Sequence, residues 1–206
     1  MTSKAAILES VRCNRPAPSE LPSLDHLWTT YDDRREKFIE VLEAVGGNAI
    51  VASDQSDLCK RVDRLPQLAS AQNVASLVPG IDSHNIDSAA INSPHGLSHV
   101  DVAVLPGEFG VAENAAVWVT DRRVPLRVLY FLCQHLVLVM PADAILDHMH
   151  AAYERLATVG RNGGPNFADP QFGVFISGPS KTADIEQSLV IGAHGPRSLT
   201  VCLLEK

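Results

Sequence analysis

The residues best suited to chemistry lie in the run Phe175–Leu204, FISGPSKTADIEQSLVIGAHGPRSLTVCLL. Two Gly-Pro turns punctuate it, Gly178-Pro179 and Gly195-Pro196. A glycine-containing turn between a strand and a helix can aim backbone N–H groups at an anion, and Lys181 adds a positive charge there. Ser180 and Thr182 bring hydroxyls, either as ligand donors or as helix caps. Asp184 and Glu186 favour the dipole of a helix start but oppose an anion at that place. The segment is therefore either a well-capped turn or an anion cradle, set where a parallel sheet presents its ligand site. A nucleoside-triphosphate loop needs G-x-x-x-x-G-K; Gly173 and Gly178 have the glycine spacing, but position 179 is proline, which excludes it. His194 precedes the second Gly-Pro and is available for acid–base work or for bonding a neighbouring turn.

Further candidates lie upstream. Glu113 and Asn114, in GEFGVAENAA, sit between two strands, where a carboxylate serves as base or nucleophile, or simply as part of a solvated loop. Arg127 and His135 flank an apolar run; Arg127 could hold a carboxylate or phosphate, or form an ion pair at the sheet rim. The histidine pairs His95/His99 and His148/His150 have no metal-binding context, and no C-x-x-C or H-E-x-x-H is present, so no metal site is expected. The cysteines Cys13, Cys59, Cys133 and Cys202 are scattered. They read as buried free thiols in a reducing compartment, and an iron–sulfur cluster, which wants closely spaced thiolates, is not expected on this chain.

These residues must be positioned by a core. A chain of 206 residues with 46% hydrophobic content buries roughly 70% of its extended surface, enough to fold without staples. The net charge of −7 argues against a nucleic-acid surface. No apolar run reaches the ~18 residues of a membrane helix, and the first residues lack a signal-peptide pattern. The expected location is the cytoplasm.

The pattern predicts an N-terminal helix and a Pro-rich arm over residues 1–30, then a single α/β domain over 31–206. Tyr31–Val45 reads as a helix with Phe38, Val41, Leu42 and Val45 on one face, Asp32 and Asp33 in its first turn, and Gly46-Gly47 as its cap. Strands are predicted at 48–52, 74–78, 100–105, 115–120, 136–140, 172–176 and 198–204, with Cys133 and Cys202 in strand regions. A helix capped by Ser53 runs to about Leu65, a short helix falls within 82–92, and Pro141 opens a helix over 142–158. A loop over 160–170 and a helix near 183–190 complete the reading. The alternation and the wholly apolar strands predict a layered α/β fold with a mostly parallel sheet flanked by helices.

The run from Gly178 to Pro196 carries a resemblance. GPSKTADIE followed by G-x-HGP is similar to the signature of the lactate utilization protein C family (LutC/YkgG, the LUD domain), matching at Gly178, Pro179, Ser180, Lys181, Thr182, Ala183, Asp184, Ile185, Glu186, Gly192, His194, Gly195 and Pro196. Arg127 and His135 also fit the family's pattern. One departure stands at Ala112–Ala116, AENAA, where many members read A-[ED]-T-G-T; the acid, Glu113, is kept. The resemblance implies a fold like the NagB/RpiA/CoA-transferase superfamily. It also implies a non-redox role in oxidising L-lactate to pyruvate, with iron–sulfur clusters on partner proteins and none on this chain. The alternatives are a stand-alone isomerase, CoA-transferase or folate cyclo-ligase-like enzyme acting on a small anionic substrate, with Glu113 catalytic, or a small-molecule sensor. In each, the ligand-binding set is Asn114, Arg127, His135, Gly178, Ser180, Lys181, Thr182, Asp184, Glu186 and His194.

Overall fold

The computed structural model describes residues 2–20, 22–24, 27–87, 91, 93–161, 172–183 and 187–205. The chain begins with a solvent-exposed helix α1 (Ser3–Cys13), in which no residue is buried, followed by an extended arm. Helix α2 (Arg34–Ala44) starts three residues later than its apolar pattern suggests, because Asp33 is its N-cap: the side chain accepts hydrogen bonds from the amides of Arg35 and Glu36. It ends as expected. The amides of Gly46 and Gly47 bond back to Glu43 and Leu42, with Gly46 at φ 87°.

Strand β1 (Asn48–Ala52) leads to helix α3 (Gln55–Asp63), capped by Asp54 rather than Ser53. Helix α4 (Pro66–Ser70), strand β2 (Val74–Ser76) and a 3-10 turn at Pro94–Leu97 follow. Of the short helix expected in 82–92, Ile86 instead forms an extended bridge with Ala75, and residues 88–90 and 92 lie outside the described residues. Then come β3 (Val102–Pro106), β4 (Phe109–Val111), β5 (Ala116–Thr120) and the short helix α5 (Leu129–Leu132), which Cys133 terminates, so Cys133 is not in a strand. β6 (His135–Pro141), β7 (Ile145–Leu146), helix α6 (Met149–Arg161) and β8 (Gly173–Ile176) lead to the hairpin of β9 (Lys181–Thr182) and β10 (Val190–Ile191), and β11 (Ser198–Leu204) closes the order.

Five strands form a wholly parallel sheet in the order β1-β11-β6-β3-β2. Its central strands are buried on both faces, which is why they read as continuous apolar runs. One face packs α3 and α4 through Leu58, Val62 and Leu68 against Val104, Val137 and Cys202. The other face presents Leu105, Leu138 and Val201 to α2 and to a second sheet. Each such aliphatic side chain, fully withdrawn from water, contributes about 1.5–3 kcal/mol.

The second sheet has four strands in the order β7-β4-β5-β8, with β4–β5 and β5–β8 antiparallel. Along β5, Val117 and Val119 point into the shared core while Ala116 and Trp118 face the α6 side. The layers are thus helices, parallel sheet, second sheet with α2, and α6.

Two helices expected from local pattern are corrected. Pro141 does not open a helix; it ends β6, Ile145 and Leu146 pair with Gly110 and Val111, and α6 starts only at Met149. Within the helix expected near 183–190, Gln187 adopts φ 53° and Val190 lies in a strand; residues 184–186 lie outside the described residues. The loop expected over 160–170 yields Gly160 and Arg161 to α6, and its remainder from 162 lies outside them too.

Candidate functional site

The signature turns meet the end of α2. After β8, Gly178 takes φ 72°, and a Cβ there would stand 3.0 Å from both the Cγ2 and the carbonyl oxygen of Val45. Only glycine fits both the backbone angle and that approach. Lys181 Nζ donates to the Val45 carbonyl at 2.5 Å, placing its cation at the helix C-terminus, where the macrodipole favours it. Pro179 packs beside Gly46. The glycine cap of α2 and the Gly178-Pro179 turn are therefore one interlocked unit.

The second turn closes on the first. The Ser180 amide donates to Pro196 O and the Gly192 amide to Ser180 O, each at 2.9 Å. Gly195 lets Ser180 approach, since a Cβ would meet Ser180 Oγ at 3.2 Å. The Arg197 amide donates to Gln134 O at 2.7 Å, tying the turn to the segment before β6.

Between the two sheets and these turns lies a cavity of about 250 Å³. Tyr130, Phe131, Leu136, Val174, Ile176 and Leu199 form its apolar wall, and Ser177, Gly178, Ser180 and His194 its polar side. The Tyr130 hydroxyl is buried and donates to the carbonyls of Thr120 at 3.1 Å and Pro106 at 3.4 Å; burial raises its pKa well above the ordinary phenol value. The Ser177 hydroxyl donates to Asn114 O at 2.6 Å.

Gly178, Ser180 and His194 thus line one cavity, and Asn114 supports its lip through its backbone. The other expected residues go elsewhere. The Glu113 carboxylate accepts from the Met149 amide at 2.9 Å, capping the start of α6. Its own amide donates to Asp147 O. Arg127 stacks on Phe172, 5.2 Å from the ring centroid, and Phe172 in turn meets Phe131 edge-on. His135 Nδ1 lies 2.8 Å from Ser198 Oγ; burial, then Arg197, lowers its pKa from the usual 6.5. Thr182 pairs with Val190 in the hairpin. Asp184 and Glu186 lie outside the described residues. The apolar wall escaped sequence reading because Tyr130, Phe131, Leu136 and Leu199 look like core residues.

The site does not occupy the usual ligand edge of a parallel sheet. The Gly195-Pro196 turn precedes β11, and His135 starts β6, so the cavity opens toward the N-terminal ends of these strands. The physical reason is β8: it pairs antiparallel with β5 in the second sheet and is not the leading strand of a parallel unit. At the C-terminal edge there is a wider, open cleft of about 650 Å³ lined by Tyr31, Arg34, Arg35, Asp143 and Glu205. Its arginines are committed, Arg34 to Asp147 at 2.8 Å and Arg35 to Glu205 at 2.7 Å, and no signature residue lines it. Size alone does not make it the better site. Among the described residues no group of three or more His, Cys, Asp or Glu side chains could hold a metal ion, and no helix is long and apolar enough to cross a membrane.

Fold and site together define an α/β domain, a parallel sheet backed by a second sheet, with a small open cavity bordered by a Gly-Pro-Ser turn and a His-Gly-Pro turn. The chain belongs to the LUD-domain family, whose model matches residues 35–204. Lactate utilization protein C of Geobacillus thermodenitrificans is 25% identical over 185 residues, covering 84% of this chain and 69% of that protein. The protein of the same name from Exiguobacterium sp. is 30% identical over 106 residues, 50% of this chain and 44% of that protein, so the matched stretch spans less than half of the latter. The crystal structure of a DUF162 family protein from Deinococcus radiodurans has the same fold, with TM-score 0.56 and 18% identity, covering 83% of this chain and 96% of that one.

Proposed function

We propose that this chain takes part in lactate utilization as a component that carries no redox group. In this reading the two electrons lost as L-lactate becomes pyruvate pass to iron–sulfur proteins that act with it, and the two protons pass to solvent. The observation that carries the proposal is the meeting of the signature's Gly178-Pro179-Ser180 and His194-Gly195-Pro196 around one cavity, in a chain whose relatives include proteins named lactate utilization protein C. The cysteines support the division of labour. Cys133 and Cys202 are buried, and burial pushes both thiols up to about 12, where a thiolate ligand is costly. Cys13 lies on the exposed helix α1 and Cys59 on α3, so the four do not converge.

A stand-alone transferase or isomerase with Glu113 as its nucleophile draws less support, because that carboxylate is engaged by the start of α6. The test is growth on L-lactate after deletion of the gene, together with lactate oxidation by the iron–sulfur proteins with and without the purified chain. Loss of both, restored by the wild-type chain, is the expected result. Unchanged growth and unchanged oxidation would end the proposal.

A further inference from the structure

Helix α1 stands outside the domain core. None of its residues is buried, Thr2 gives it no side-chain cap, and its first turn holds no acidic residue. An isolated helix of 11 residues is marginal in water, so α1 needs a surface to lie on. Its sequence supplies the face. Ile7, Leu8 and Val11 recur at i, i+1 and i+4 on one side, with Ile7 64% and Val11 63% exposed. Lys4 lies one turn earlier on that side and Arg12 borders it, joined to Glu9 by a long, exposed ion pair of 3.7 Å. Charge separates this segment from the rest. Residues 1–15 carry Lys4, Arg12 and Arg15 against Glu9, a formal +2; the whole chain is −7, which leaves −9 on residues 16–206. A basic apolar helix and an acidic body attract each other. The arm decides which body. Pro16, Pro18 and Pro22 favour a semi-rigid extended spacer of about 3.1 Å per residue. In that form residues 14–27 would span about 43 Å, twice the ~20 Å length of α6, and would hold α1 away from its own domain.

A receiving strip lies on α6, the outermost layer. His150, Tyr153 and Ala157 recur at i, i+3 and i+7 along one side of it, and Tyr153 is 61% exposed. Trp28 stacks on His150 with ring centroids 3.6 Å apart and lengthens the strip, with exposed Leu27 beside it. Glu154 borders the strip as an anion for Lys4 or Arg12, while Arg155 lies over the Phe109 ring. We propose that α1 of one chain docks along α6 of a second copy and receives that copy's α1 on its own α6, an arm-exchanged dimer. One short helix on one helix falls below the ~800 Å² per partner of a standard interface, and exchange doubles the contact, so the dimer is reversible and micromolar rather than obligate.

Sedimentation of the full chain over a range of concentrations should show a monomer–dimer equilibrium. Ile7→Asp combined with Val11→Asp should weaken it at least tenfold, and Lys4→Glu with Arg12→Glu several-fold. Since no residue of α1 is buried, these variants should melt like the wild-type monomer. Cys13 lies on the opposite side of α1 from Ile7 and Val11, so a nitroxide there reports docking without blocking it. A spin-labelled chain in a Cys59→Ser background is mixed with an isotope-labelled Cys13→Ser chain and followed by NMR. The Ala157 methyl and Tyr153 ring signals should broaden in the mixture, and the buried Val104 methyls should not. A chain that stays monomeric up to millimolar concentration overturns the proposal, as does a dimer that survives the Ile7/Val11 double variant. Broadening found only when label and isotopes share one chain overturns it too, because α1 then folds back on its own domain.

Discussion

Gly178→Ala tests whether the signature turn is held by backbone geometry. At φ 72° an L-residue costs about 1–2 kcal/mol relative to glycine. The new methyl would also stand 3.0 Å from Val45 Cγ2 and from Val45 O, and relieving such overpacking costs about 1–3 kcal/mol. The sum is about 2–5 kcal/mol. At about 2–4 °C per kcal/mol for a chain of this size, melting falls by about 4–20 °C. Calorimetry and urea unfolding followed by tryptophan fluorescence measure the shift. Adding Val45→Ala removes the Cγ2 contact but neither the carbonyl contact nor the backbone angle, so the double variant should regain only part of the loss. An unchanged urea midpoint in Gly178→Ala would refute the reasoning, and full rescue by Val45→Ala would show that side-chain crowding alone was responsible.

Lys181→Met should destabilise by about 0.5–1 kcal/mol, because it removes the cation from the carbonyl end of α2; thermal melts at low and high salt check this, with the smaller difference at high salt. His135 has a lowered pKa in the fold, so the unfolded chain binds its proton first as pH drops. Its contribution is complete above the unfolded value near 6.5 and is lost as pH falls from there through the lower folded value. Urea midpoints across that window should therefore slope less in His135→Gln than in the wild type. Cys133 and Cys202, buried and pushed up to about 12, should resist a thiol reagent at pH 8 until the protein unfolds, while exposed Cys13 reacts at once. Counting fast and slow thiols in native and denatured protein decides this.

The parallel sheet was legible because β-branched, two-sided burial leaves an unmistakable trace in runs such as Leu136–Met140 and Ser198–Leu204. Helix α2 was legible through its apolar stripe and its paired glycines. The second sheet was not, because β4 and β7 are only three and two residues long and exist through pairing with each other and with β5. Likewise, the start of α6 at Met149 is set partly by Glu113, a cap 36 residues away that no local window contains. Of the signature residues, Gly178, Ser180 and His194 do meet at one cavity. Sequence spacing could not reveal that Lys181 and Arg127 turn to a helix end and an aromatic ring, since both partners are brought in by tertiary packing.

The strand order has a consequence for biosynthesis. β1 lies at the edge of the parallel sheet, and its one neighbour there is β11, so Asn48 pairs with Thr200, about 150 residues later. As the chain emerges from the ribosome at about 5–20 residues per second, β1 waits roughly 8–30 s for its partner. Until then the slot between β1 and β6 stands empty, with unpaired backbone on both rims. Such an open edge invites association with other chains. Nascent chains stalled before residue 198 should thus be the form most dependent on chaperones, and release of β11 the event that ends that dependence.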